Sequence, residues 1–144
     1  MPVRYSTRLA NAIHIMVYIS IFPDQPMTST DIAQSVKTNP SYIRTIMAHL
    51  KAGGLIESTK GKACPVLARD PEEISLLDIY KAIEGDKPLL HLDTHVNPEC
   101  NVGVYVQQAI SDCYRQVQEA AESEMRQISL QGIIDLFEKK RPLD

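Results

Sequence analysis

The stretch TSTDIAQSVKTNPSYIRTIMAHLKAGGLIES, residues 28–58, contains two helix signals in succession with a short break between them. Thr28 followed by Asp31 is the pattern of a capping box, which starts a helix. Asn39 is a favoured N-cap and Pro40 suits the first helical position, so a second helix is predicted to begin here. Two short helices separated by about four residues predict a helix-turn-helix.

The helix that begins at Pro40 has two chemically different faces. Its apolar stripe, predicted to pack against neighbouring helices, consists of Ile43, Ile46, Met47 and Leu50. The opposite face is small and polar, which suits entry into a DNA major groove, where Arg, Ser and Thr read base edges and Ala touches a thymine methyl. That face carries Ser41, Thr45 and Ala48, flanked by Arg44 and His49. An ordinary solvent-exposed helix face is the alternative interpretation.

The elements on either side extend this motif into a small domain. Apolar residues recur at three-and-four spacing over residues 5–22, which predicts a helix that FPDQP terminates. Gly53 and Gly54 end the helix that starts at Pro40. The strand-like runs LIEST and PVLAR then flank KGKAC and predict a β-hairpin, or wing, with lysines near its tip.

The second half of the chain is predicted to be helical around one loop. SLLDIYKAIEG begins at Ser75 and ends at Gly85, the loop DKPLLHLDTHVN follows, and a helical pattern runs from Pro98 to about Gln127. At 1.5 Å per residue this helix would be about 45 Å long, so its apolar stripe is predicted to meet a second copy of the chain. The predicted dimer interface comprises Val102, Val106, Ile110, Cys113, Val117 and Ala121. SLQGIIDLFEKKR gives a last short helix.

The predicted fold is mainly α with a small β-wing. A winged helix-turn-helix DNA-binding domain spans residues 1–85, a connecting or sensor loop spans 86–97, and a dimerisation helix with a C-terminal helix spans 98–144. With 144 residues the chain is about one domain long and buries a core without disulfides or metal.

Charge is distributed unevenly along the chain. Residues 1–70 contain eight Lys/Arg against four Asp/Glu, a balance of +4, whereas the remainder contains seven against fourteen, a balance of −7. A basic front half suggests that a polyanion meets this half only. The three cysteines are widely spaced in a chain without secretory features, which favours reduced thiols and a cytoplasmic location. The longest apolar stretch is too short to cross a membrane, so no membrane association is expected.

Three stretches together resemble one known family. RYSTRLANAIHIMVYIS, the stretch at residues 28–58 and LARDPEEISLLDIYKAIEG are similar to the Rrf2 family of bacterial winged-helix transcriptional regulators. The match is close over residues 4–85 and looser through the long helix, and SYIRTIMAHLKAGGLIES and EEISLLDIYKAIEG are its specific parts. The resemblance implies a homodimer joined by the long helices that binds palindromic double-stranded operator DNA through the helix-turn-helix and wing. It also implies sensing of redox state, iron–sulfur cluster supply, nitric oxide or sulfur metabolites.

The resemblance assigns residues to the DNA interface. Ser41, Tyr42 and Arg44 match the start of the family's recognition helix, and Arg4 and Tyr5 match its basic N-terminal start. The wing departs from the family's glycine-rich tip, because Gly61 is followed by KACPV. Phosphate or minor-groove contacts are expected from the wing lysines. The rest of the predicted DNA-binding set is Arg8, Thr28, Thr45, His49, Lys60 and Lys62.

Cys100 is the residue whose role the sequence leaves open. Family members that hold an iron–sulfur cluster carry three closely spaced cysteines here, and this chain has one, so no cluster or other cofactor is expected. A position near the positive end of a helix dipole favours the reactive thiolate and predicts a redox sensor. A half-buried, inert cysteine is the equally weighted alternative. Cys64 in the wing is a second sensor candidate, and Cys113 is predicted to be a packing residue.

The loop offers one further ligand set. His91, Asp93, His95 and Cys100 lie within ten residues and are metal-binding types, but their spacing matches no closed structural metal site. A solvated polar loop is favoured, and no metal is predicted.

The predicted function is a dimeric, sequence-specific DNA-binding regulator, a repressor, whose affinity responds to an oxidant at Cys100 or to a small molecule. A winged-helix module that binds a protein partner instead of DNA is the alternative. No nucleophile-and-base pairing, phosphate-binding glycine loop or HExxH motif appears, so an enzyme is not expected.

Overall fold

The computed structural model describes residues 6–23, 25–58, 64–93 and 95–142. Within them the chain forms a mainly helical fold with a two-stranded sheet, which confirms the predicted fold class. A 3₁₀ turn covers Pro71–Glu73. The elements in chain order are α1 (Arg8–Ile21), α2 (Ser29–Val36), α3 (Pro40–Ala52), β1 (Ile56–Glu57), β2 (Val66–Leu67), α4 (Leu76–Glu84), α5 (Asn101–Gln127) and α6 (Leu130–Lys140).

The predicted helix starts of the helix-turn-helix are confirmed. Thr28 Oγ1 accepts a hydrogen bond from the Asp31 backbone N–H at 3.2 Å, and Asp31 Oδ2 accepts one from the Thr28 N–H at 2.7 Å. Asn39 Oδ1 accepts from the Tyr42 N–H at 2.8 Å, and Pro40 occupies the first helical position. Local capping chemistry therefore fixes where α2 and α3 begin.

The core lies between α1, α2, α3 and α4. These four helices, with the 3₁₀ turn that precedes α4, form the head of the structure. The apolar stripe of α3 is buried as predicted, with Met47 partly covered. Burying one such side chain contributes about 1.5–3 kcal/mol, which is why the stripe sets the rotation of α3 in the head. Fully buried side chains of this core include Ile15, Met16, Ile32, Ile43, Ile46, Leu50 and Ile79.

The wing is present but its strands are shorter than predicted. β1 and β2 are antiparallel, with Ile56 opposite Leu67 and Glu57 opposite Val66. Ile56 is buried and so anchors the hairpin to the head. The wing tip at residues 59–63, with the predicted contacts of Lys60 and Lys62, lies outside the described residues. The predicted contacts of Arg4 and Tyr5 lie outside them as well.

Two identical tripeptides, Ile74–Leu76 and Ile128–Leu130, pair at the base of the head. The Leu76 N–H donates to the Ile128 carbonyl at 2.7 Å, and the Leu130 N–H donates to the Ile74 carbonyl at 2.7 Å. Ser75 and Ser129, opposite each other in this antiparallel bridge, are the N-caps of α4 and α6. The bridge returns the chain to the head after α5. Leu130 is fully buried in the head core and Ile134 packs against it.

The domain boundaries remain a prediction, and the contacts of α6 concern the predicted boundary at residue 98. The 98–144 unit was expected to hold α5 and α6 together. In the structure α6 contacts α1 and the 3₁₀ turn of the head.

A capping box also starts α4. Ser75 Oγ accepts from the Asp78 N–H at 3.0 Å, and Asp78 Oδ2 accepts from the Ser75 N–H and from Arg69 Nη2, both at 2.9 Å. Partial burial opposes ionisation of Asp78, but the hydrogen bonds from Ser75 and the charge of Arg69 outweigh it and lower the pKa of Asp78.

The start of α5 corrects the sequence prediction. The helix was expected to begin at Pro98, with Cys100 in its first turn, but it begins at Asn101 and Cys100 is its N-cap. The reason is local. Asn97 Oδ1 accepts from the Glu99 N–H at 3.0 Å, and the Asn97 carbonyl accepts from the Cys100 N–H at 3.1 Å. These bonds hold residues 97–100 in a turn that competes with helix.

We expect Gly53→Ala to destabilise the protein because a Cβ at Gly53 would lie 2.9 Å from the Cβ of Ala82 in α4. Overpacking of this kind costs about 1–3 kcal/mol in the free energy of unfolding, measured by urea denaturation. The penalty should largely disappear in an Ala82→Gly background.

Gly54→Ala is the matched control. Gly54 has φ +74° and nothing within 4 Å of an added Cβ, so its penalty comes from the backbone and should not depend on residue 82. An equal Gly53→Ala penalty in both backgrounds would show that the contact with α4 is not the constraint.

Candidate nucleic-acid interface

The solvent-facing side of α3 carries the predicted base-reading residues. Ser41, Arg44, Thr45, Ala48 and His49 are all exposed, while the opposite stripe is buried. The Thr45 hydroxyl donates to the Ser41 carbonyl at 3.2 Å, and its oxygen can still accept hydrogen bonds. The structure therefore brings this predicted subset together on one accessible helix surface.

Tyr42 has a different position from its neighbours. Its side chain is half-buried, and its hydroxyl accepts a hydrogen bond from Asn11 Nδ2 of α1 at 3.1 Å. This bond ties the start of α3 to α1. The hydroxyl proton remains available to a phosphate, so the predicted DNA contact of Tyr42 is compatible with this structural role.

Arg8 and Thr28 lie at helix starts and not on α3. Arg8 is the first residue of α1 and is half-buried. The Thr28 hydroxyl is exposed, but it takes part in the α2 cap and also donates to Asp31 Oδ2 at 3.0 Å. A DNA contact by Thr28 would therefore have to share this oxygen with the cap.

Two exposed lysines near α3 were not in the predicted DNA-binding set. Lys37, in the turn between α2 and α3, has a left-handed backbone with φ 64°, a conformation that favours glycine. Lys51, near the end of α3, donates to Ser58 Oγ at 2.8 Å and so links α3 to the wing. A lysine directly after a helix, where glycine is usual, was the sequence signal for Lys37.

The long helix α5 exposes a stripe of apolar side chains. Val102 is 72% exposed and Tyr105 66% exposed, and nearly half of the surface of Val106 and of Val117 is exposed. Large apolar side chains in a continuous exposed stripe mark an interaction surface. Of the remaining predicted interface residues, Cys113 is exposed, and Ile110 and Ala121 are half-buried. Tyr105 was absent from the predicted dimer interface because it lies next to the apolar residues that recur every three or four positions, and not among them.

A polar cluster holds α5 against α4. Gln118 Nε2 donates to the Tyr80 hydroxyl at 3.2 Å and to Glu122 at 2.9 Å, and Gln118 Oε1 accepts from the Leu89 N–H at 2.9 Å. Lys81 Nζ lies 3.2 Å from Glu122 Oε1. The hydrogen bonds from Gln118 and Lys81 lower the pKa of Glu122. One amide thus connects the head, the loop and the long helix.

Cys100 lies where the loop meets α5. Its exposed Sγ accepts from the Gly103 N–H at 3.5 Å. A Cβ at Gly103 would come within 2.7 Å of Val96 Cγ1, so this glycine lets the loop pack on the first helical turn. The other free cysteines are the half-buried Cys64 and the exposed Cys113.

The loop residues considered as metal ligands are only partly brought together. His95 Nδ1 lies 3.4 Å from Asp93 Oδ1, and both side chains are strongly exposed. Among the described residues, no group of three or more His, Cys, Asp and Glu side chains is arranged to hold a metal ion. An iron–sulfur cluster is held by several thiolates, so the donor set described around Cys100 does not fit one. Nor does any helix in the described ranges have the length and apolar content for a membrane crossing.

Comparison with known proteins gives a consistent result. The family described as "Rrf2: Iron-dependent Transcriptional regulator" matches residues 5–136. YwnA of Bacillus subtilis (strain 168), a candidate HTH-type transcriptional regulator, is 36% identical over 130 residues, which cover 90% of this chain and 96% of YwnA.

Solved structures agree with the sequence comparison. The crystal structure of a candidate DNA-binding protein, 36% identical, covers 88% of this chain and 98% of its own with a TM-score of 0.74. CymR, the global cysteine regulator of B. subtilis, is 19% identical with a TM-score of 0.66, covering 93% of this chain and 98% of its own, which shows a shared fold.

We expect Cys100→Ser to keep the stability of the protein, because a serine hydroxyl is a favoured N-cap acceptor for the Gly103 N–H. Cys100→Ala removes the acceptor and should lower the free energy of unfolding by up to about 1 kcal/mol. Urea denaturation followed by circular dichroism measures both. Equal stability of Cys100→Ala and the parent chain would show that the cap contributes nothing.

Proposed function

This chain belongs to the Rrf2 family of transcriptional regulators, and we propose that it is a cytoplasmic repressor that binds a palindromic DNA operator as a homodimer. The observation that carries the proposal is the division of α3 into a buried apolar stripe and an exposed face of small polar residues with Arg44. A helix fixed in this way presents the same side chains to every major groove that it enters.

Base reading is assigned to α3 and phosphate binding to the residues around it. Arg44 is the strongest candidate for a bidentate contact to guanine, with Ser41 and Thr45 beside it. Lys37 precedes α3 and Lys51 lies near its C-terminal end, so the two lysines lie at opposite ends of the helix. Phosphate contacts at both ends of a recognition helix would fix its register on the duplex.

Dimerisation is assigned to α5. Its exposed apolar stripe, with Val102, Val106 and Val117, is of the kind that is buried in an interface with another protein surface. A second copy of this chain is the simplest partner, because a twofold axis pairs the stripe of one subunit with the same stripe of the other. The same axis accounts for a palindromic operator. Half-sites are then expected about one helical turn apart.

Redox control is assigned to Cys100. Its thiol is exposed and accepts an N–H from the first turn of the helix that would join the two subunits. A peroxide would transfer one oxygen atom to the thiolate, giving a sulfenic acid and releasing water, and a second thiol would then condense to a disulfide with loss of another water. Either product changes the cap and the start of α5.

Replacing Arg44 should reveal the reading face. We expect Arg44→Ala to weaken binding to the operator upstream of its own gene, by about 1–3 kcal/mol per half-site, and to relax base preference at one position of each half-site. Fluorescence anisotropy with the wild-type operator and single-base variants measures this change.

Two variants separate base reading from charge. Lys51→Ala should weaken binding to all DNA sequences about equally. It should also reduce by about one unit the slope of the logarithm of the binding constant against the logarithm of the salt concentration. Lys140→Ala, at the end of α6, should change neither the DNA affinity nor its dependence on salt. Unchanged affinity and base preference in Arg44→Ala would refute the assignment of α3, and a protein that captures no DNA at low salt would favour the protein-binding alternative.

Thiol oxidation should change operator affinity in the wild type. Because Cys100→Ser retains the cap, this variant should bind like the reduced protein before and after mild peroxide treatment. Cys64→Ser and Cys113→Ser are matched controls that should keep the response. If the response persists in Cys100→Ser and is lost in Cys64→Ser, the wing cysteine is the sensor instead.

A further inference from the structure

A cleft of about 500 Å³ lies between α1, α2 and α6, and no residue of α3 lines it. Its walls are largely apolar, with Tyr18 and Phe22 of α1 on one side and Ile133 and Phe137 of α6 on the other. The rings of Tyr18 and Phe22 form a tilted pair with centroids 5.0 Å apart. This volume and lining are typical of a site for a small organic molecule.

His14, Ser35 and Arg141 contribute polar groups to this cleft, and Arg141 carries a positive charge. His14 Nε2 and Ser35 Oγ are 2.8 Å apart and join α1 to α2 at one end. Arg141 lines the other end, with its guanidinium carbon 5.6 Å from the centroid of the Phe137 ring. None of the described lining residues is Asp or Glu. The electrostatics therefore favour an anion over a neutral or cationic molecule.

We propose that this cleft binds a small aromatic carboxylate as an effector. The aromatic ring would lie between the α1 pair and Phe137, where offset or edge-to-face contacts with the side-chain rings are favourable. The carboxylate would meet Arg141, whose planar guanidinium matches a carboxylate in a two-point hydrogen bond.

The existing partner of Arg141 leaves room for such a ligand. Arg141 Nη2 lies 2.9 Å from Glu138 Oε2, and about half of each side chain is exposed. An exposed pair of this kind contributes about 0–1 kcal/mol, so exchanging or sharing it costs little. The guanidinium has five N–H donors, and a single contact with Glu138 does not exhaust them.

Ligand binding here would act on the geometry that DNA recognition needs. α1 and α2 are parts of the head, whereas α6 follows α5 directly and is fastened to the head at the Ser75–Ser129 bridge. A molecule held between α1 and α6 would favour the arrangement in which α6 is docked, and would bias how α5 leaves the head. This effector role rests on the proposed function, but binding in the cleft does not.

The first test is isothermal titration of the full chain with 2-naphthoate as the probe and neutral 2-naphthamide as its isostere. We expect naphthoate to bind at least about tenfold more tightly than the amide, and Arg141→Gln to remove that preference. Lys140→Gln is the matched control, because Lys140 is an exposed cation directly before Arg141 that does not line the cleft. Ser35→Trp, an exposed position at the rim, should block both compounds.

Several results would overturn the site. They are no binding by the wild type, equal naphthoate affinity in Arg141→Gln, or undiminished binding in Ser35→Trp. A change of oligomeric state in Ser35→Trp together with no probe binding would show that a second copy occupies the cleft, which also overturns it.

The effector role is tested by operator binding with and without saturating naphthoate. We expect a change of at least about threefold in the dissociation constant for wild type and Lys140→Gln, and none for Arg141→Gln. An unchanged constant in the wild type would refute the effector role. If the protein binds no DNA at all, the proposed function fails, while the calorimetric result still decides the cleft.

Discussion

The rest of the structure depends on the antiparallel bridge between Ser75 and Ser129. Two backbone hydrogen bonds of 2.7 Å join segments more than fifty residues apart, and the same two serines start α4 and α6. Because Leu130 follows the bridge into the head core, α6 cannot continue along α5. The bridge therefore returns the chain to the head at the end of α5 and fixes where α6 begins.

Between the loop and the Ser75–Ser129 bridge, Gln118 determines how α5 lies against the head. Its amide uses both oxygen and nitrogen to contact α4, the loop and Glu122 of its own helix. A side chain satisfied on several sides favours one orientation, since any tilt of α5 would break more than one bond. The two proposed control points, Cys100 at the start of α5 and the cleft beside α6, act before and after this contact. Both would change the same quantity, the direction of α5 relative to the reading face.

Prediction from sequence succeeded where a rule is local. The capping box at Thr28, the N-caps Asn39 and Ser75 and the buried stripe of α3 all depend on residues within one or two turns of each other. The main error, a start of α5 at Pro98, also has a local cause. The Asn97 side chain stabilises a turn in place of helix, so α5 begins at Asn101. The same shift changes Cys100 from a residue inside the helix to the residue that caps it.

The sequence by itself determined the helix starts and which side of α3 faces solvent, because periodicity and capping depend on neighbouring residues. Its resemblance to known regulators indicated the family. Only the tertiary structure decided that the two Ile-Ser-Leu segments pair and that α6 packs on the head. It also decided that His14, Phe137 and Arg141 surround one cleft. These contacts join residues far apart in the chain, and closing such loops depends on the total burial of the fold and not on any local pattern.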